Sequence, residues 1–78
     1  MASPSQQWQD RVRGLLRAEL ARRNISYKEL IERLDAIGVH ESENNISNKL
    51  VRGTFTAAFM IQCLDAIGCR VLRLREDE

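Results

Sequence analysis

Seventy-eight residues allow one domain with one modest core, hiding roughly 60% of the surface that the unfolded chain exposes. No apolar run approaches the roughly 20 residues of a membrane span, and the start MASPSQQWQD lacks the basic and apolar regions of a secretory signal. Both features point to a cytoplasmic protein without a membrane partner. The cysteines Cys63 and Cys69 and the sole histidine His40 supply neither zinc nor disulfide spacing, so no metal or cofactor is expected. The net charge is only +1, but three of the eleven acids are the terminal Glu76, Asp77 and Glu78. Without them twelve basic residues face eight acidic ones. Five arginines, Arg11, Arg13, Arg17, Arg22 and Arg23, crowd the first segment and suggest a basic face toward an anionic partner. An ordinary solvated helix face would give the same composition.

From Trp8 to Leu20 the apolar residues Trp8, Val12, Leu15, Leu16 and Leu20 recur at helical spacing, which predicts a first helix. Residues 1–6, with the sole proline Pro4, are expected to fray. Ser26 and Glu29 form a capping-box pattern ahead of Leu30, Ile31, Leu34 and Ile37, and Gly38 closes this second helix. Ser42 caps a third helix that buries Ile46 and Leu50 and stops at Gly53. Thr56 caps a fourth, AAFMIQCLDAI, apolar nearly all round and so expected to be buried on most sides. LDAIG occurs at 34–38 and again at 64–68, and reads as two similar helix endings. In the tail, Leu72 and Leu74 alternate with Arg73 and Arg75, which predicts a short half-buried strand over 70–75, with a fifth short helix as the alternative. The whole chain, 1–78, reads as one compact all-α domain of four to five helices.

The stretch ESENNISNKLVRG places three asparagines in a short helix, where their amides compete with the backbone and cost stability. With Ile46 and Leu50 pointing inward, 100° per residue puts Asn44, Asn48 and Arg52 in an outward stripe, bordered by Asn45. Asparagine bonds the N6 and N7 edge of adenine with both amide groups, and arginine does the same for guanine, so the stripe carries base-reading chemistry. For Asn45 a structural role stands beside it, reaching back to the Ser42 cap.

A capped helix, a turn, a short polar helix ended by glycine and a buried helix led by threonine make a helix-turn-helix order, with 26–53 as its core. ISYKELIERL, NISNKLVRG and FTAAFMIQCLDAIG resemble the lambda-repressor-like domains of phage and bacterial regulators. RAELARRNISYKEL, GVHESENNISNKLVRGTF and FMIQCLDAIG resemble more closely a small bacterial family catalogued as a domain of unknown function. The first resemblance implies Glu43, Asn44, Asn45, Ser47 and Asn48 at bases and Tyr27, Lys28, Thr54 and Thr56 at the DNA backbone. Arg52 joins the base readers from the stripe, and Arg17 and Lys49 join the backbone set by charge. Ile31 fills a slot that the regulators give to alanine, and the turn before the third helix is longer than theirs.

The function expected is that of a sequence-specific regulator binding double-stranded DNA, with no small-molecule ligand evident. A homodimer is expected as well, joined by the fourth helix and by strand residues Val71, Leu72 and Leu74. The competing reading is a protein-interaction module on the same scaffold, an adaptor or a partner-neutralising subunit. An enzyme is not expected: His40 has no neighbouring nucleophile, and no phosphate-cradling glycine loop is present.

Overall fold

The computed structural model describes residues 4–74 as four helices with no strand among them. They are α1 (Pro4–Arg22), α2 (Tyr27–Ala36), α3 (Glu43–Arg52) and α4 (Ala57–Ala66). Helix α1 starts four residues ahead of Trp8, with proline in the first turn, where its missing N–H costs nothing, and a Gln6 to Asp10 hydrogen bond of 2.9 Å. Residues 4–6 are therefore helical, where fraying is expected from the sequence; residues 1–3 lie outside the described part. No helix among the described residues is long and apolar enough to cross a membrane.

Each of the three short helices begins on a hydroxyl in extended backbone. Ser26 Oγ accepts from the Glu29 N–H at 3.2 Å, Ser42 Oγ from Asn45 at 3.1 Å and Thr56 Oγ1 from Phe59 at 3.0 Å. The Glu29 carboxylate accepts from Arg33 at 2.9 Å. The two LDAIG segments close alike: the N–H of Val39 donates to Leu34 and that of Cys69 to Leu64, while Gly38 and Gly68 donate to Asp35 and Asp65. Helix α1 ends in the same pattern with Asn24 in the left-handed position, so Ile25 folds back onto the Leu20 carbonyl. Three helices thus return the chain to the core by one device, placing Ile25, Val39 and Cys69 against it.

The core gathers Leu16 and Leu20 of α1, Leu30 and Leu34 of α2, Ile46 and Leu50 of α3, and Phe59, Cys63 and Leu64 of α4. Helix α4 packs on α2 and α1, and α3 packs on the same two helices. Coverage of α4 is one-sided: Ala57, Ala58 and Ile61 face outward, with Ile61 64% exposed, instead of the nearly complete burial predicted. No further helix or strand among the described residues covers that face. Trp8, read as part of the inward stripe of α1, is 62% exposed and lies under the Arg11 guanidinium.

Where α3 ends, Gly53 is buried at φ 67° and lies so close to α1 that a Cβ would sit 2.5 Å from the Gln9 carbonyl oxygen. Both constraints exclude any side chain. Gly53→Ala should therefore cost about 1–3 kcal/mol in chemical or thermal unfolding. Gly14→Ala, on the exposed side of α1 with nothing within 4 Å of its Cβ, should gain about 0.5–1 kcal/mol. Equal responses at the two positions would contradict the close approach.

The one charged side chain in the interior among the described residues is Glu19, only 6% exposed. Its carboxylate accepts from Arg23 at 2.7 Å and from Arg22, and the Cys69 thiol lies 3.8 Å away. The Arg23 hydrogen bond, helped by both guanidinium charges and opposed by burial, holds this carboxyl below its ordinary 4.5. The folded state thus keeps Glu19 ionised where the unfolded chain takes up a proton. Its contribution is complete above about pH 5 and is lost as pH falls through the folded value. Unfolding followed against pH should show Glu19→Gln less stable at neutral pH and less pH-dependent below 4.5 than the parent.

Candidate nucleic-acid interface

Helix α3 has two chemically distinct sides. Ile46 and Leu50 are fully buried, while Glu43, Asn44, Asn45, Asn48 and Arg52 are exposed. The Ser42 cap fixes its start and Glu43 sits in its first turn, where a carboxylate suits the helix dipole. At its end the Gly53 N–H donates to Lys49, and Arg13 Nη1 donates to the Val51 carbonyl at 2.7 Å. The amides of Asn44, Asn45 and Asn48 and the Arg52 guanidinium have no partner among the described residues. Every buried side-chain polar atom in that set, by contrast, is hydrogen-bonded. The stripe therefore carries unused donors and acceptors on a helix locked from behind. Asn45 meets the Ser42 cap through its backbone N–H, not through its amide, which corrects the capping role weighed for that side chain. Ser47 is half-buried at the edge of the stripe.

Charge is distributed differently from the sequence expectation. Lys49 turns inward, donating to Glu41 at 2.6 Å and resting 4.3 Å from the Phe59 ring centroid, so its charge ties the α2–α3 turn to α4. Of the five arginines of the first segment, Arg17 alone has no intramolecular partner among the described residues. Arg11 donates to the Leu74 carbonyl at 3.2 Å, Arg13 holds α3, and Arg22 and Arg23 hold Glu19. Arg17 and Tyr27 line one open cleft with Ser26 at the start of α2, and Lys28 is exposed beside them. Thr54 is exposed, and the Thr56 hydroxyl is occupied as the α4 cap.

The strand predicted for 70–75 is not formed over 70–74, and Arg75 lies outside the described residues. A strand needs a ladder, and the segment finds none among the described residues. Leu72 instead packs partly on the core, Arg11 takes the Leu74 carbonyl, and the Cys69 thiol donates to Val71 at 3.4 Å. Val71 and Leu74 remain exposed at 73% and 63%. No cluster of metal-ligating side chains is present among the described residues. Burial pushes the Cys63 thiol up to about 12.

Two residues escaped the sequence reading. Arg13 clasps α3 from 38 positions away, and nothing local announces that contact. Val51, 58% exposed, stands two turns after Asn44 and so on the same outward line, which the seven-residue spacing alone would have shown.

Because the amides of Asn44 and Asn48 support nothing inside the protein, alanine at either should preserve or raise stability. Asn45→Ala should do the same, since the cap uses its backbone. Ser42→Ala should cost about 1 kcal/mol and Ile46→Ala about 2–5 kcal/mol in the same melts. Loss of stability in the Asn44 or Asn48 variants would give those side chains a structural role.

No curated protein and no solved structure matches the chain. The family model described as a domain of unknown function, DUF6471, matches residues 8–72. That span runs from the exposed Trp8 to Leu72, the last of the described side chains packed on the core, and takes in α2, α3, α4 and most of α1. The chain belongs to the DUF6471 family.

Proposed function

We propose that the protein is a sequence-specific DNA-binding regulator that presents α3 to the major groove. The observation that carries this reading is the outward side of α3, where three asparagine amides and one guanidinium stand exposed and unpartnered on a helix whose other side is fully buried. The lambda-repressor-like resemblance of 26–68 supports it, as does the packing of α3 directly on α2, the contact that a helix-turn-helix requires. The six residues between α2 and α3 make a longer turn than that class commonly has, held by His40 to Asp35 at 2.8 Å and Lys49 to Glu41. Arg17, Lys28 and Tyr27 then serve the DNA backbone, and the reading assigns no catalysis.

The same proposal includes a homodimer. Its contact is the outward side of α4 at Ile61, since Leu72 is partly used in the core of its own chain. A protein-interaction module is the second reading, favoured by the exposed Trp8 and Ile61, both of which suit an apolar protein surface.

Titration with random duplex at rising salt separates the two. DNA binding should weaken steeply with salt, and Arg17→Ala or Lys28→Ala should flatten the slope by about one phosphate contact each without changing sequence preference. Sedimentation of the same samples should show a dimer that Ile61→Glu dissociates. No affinity for duplex at low salt would leave the protein-interaction reading in its place.

A further inference from the structure

Resting on the DNA reading above, we infer that the outward line of α3 is built for A·T pairs, with Val51 as a specificity-determining residue. The line mixes two chemistries: neutral amides at Asn44 and Asn48, and an isopropyl group at Val51 that is 58% exposed. Asn48 and Val51 are three apart, so their Cβ atoms lie roughly 5–6 Å from each other on one side of the helix. In the major groove an A·T pair offers the adenine N6 and N7 edge, which an amide bonds through both its groups. It also offers the thymine C5-methyl, which takes an apolar contact. A G·C pair offers no methyl, and its guanine edge presents two acceptors suited to arginine. Of the exposed residues on this line only Arg52 answers that pattern, at the last position of the helix.

Val51 does not belong to the core, and it is held outward because the backbone on either side is fixed. Its carbonyl accepts from Arg13, and Gly53 is pressed against Gln9 two residues later. The contact of the Val51 side chain with a base is therefore set by the same anchor that positions α3. Glu43, more than a quarter turn away from Asn44, lies off the line.

Selection of bound duplexes from a randomised pool, followed by replacement of each thymine with deoxyuridine in the selected site, tests this. The enriched site should carry A·T pairs at its most constrained positions, with any invariant G·C pair at one edge. Uracil at one of those positions should weaken the parent about fourfold, the worth of one buried methyl group, and should leave Val51→Ser unaffected. Asn48→Ala should lose about tenfold on the selected site and little on a scrambled one. The uracil arm alters no residue of the protein, so it reads the contact even if a variant folds poorly. A site dominated by G·C pairs, or indifference of the parent to every uracil, overturns the A·T assignment while leaving the DNA reading intact. Failure to bind any duplex overturns both.

Discussion

The contact between the end of α3 and α1 is the constraint on which the arrangement depends. Gly53 lets the chain turn in the left-handed region while its backbone comes against the Gln9 carbonyl, and Arg13 crosses from α1 to satisfy a carbonyl that the helix end leaves open. Fixed there and buried through Ile46 and Leu50, α3 has no freedom to rotate about its axis without exposing apolar surface. Which side chains face solvent is therefore decided by the core. A reading surface needs such backing, because a polar contact misplaced by an ångström loses much of its discrimination.

The arginines of α1 show how composition and role can part. Five positive charges on one segment suggest a surface for an anion, yet four of them bind the protein to itself. Arg22 and Arg23 make a buried carboxylate tolerable, and without them Glu19 would be an isolated charge in an apolar setting. Arg11 and Arg13 donate to backbone carbonyls of the C-terminal segment and of α3, linking residues far apart in sequence. The cations left for a partner are fewer and more scattered than the sequence implies: Arg17, Lys28, Arg52, Arg70 and Arg73 among the described residues.

Features written in neighbouring residues were legible in the sequence. Ser26, Ser42 and Thr56 each cap a helix by a bond three residues on, and both LDAIG segments end helices as read, because the interactions involved span five residues or fewer. The inward side of α3 followed from spacing alone. Features that depend on what other elements cover were not legible: Trp8 and Ile61 look like core by type and are exposed. The alternation of Leu72 and Leu74 with Arg73 and Arg75 resembles a strand but has no ladder to join among the described residues. Asn45 shows a subtler failure, since its position in the capping pattern was right and only the atom was wrong. At the candidate site the identity of the outward residues was readable, whereas the inward turn of Lys49 depended on Phe59, ten residues away on another helix.

The two cysteines sit in opposite circumstances, and this makes the fold self-reporting. Cys63 is completely enclosed, its thiol kept protonated by burial, while Cys69 is only partly covered beside Glu19. A small thiol-reactive reagent therefore meets one partly covered sulfur in the native protein, and it meets the second only when the core around α4 opens. The rate at which Cys63 becomes labelled measures how often its enclosure opens, so the chain carries its own clock for opening of the core.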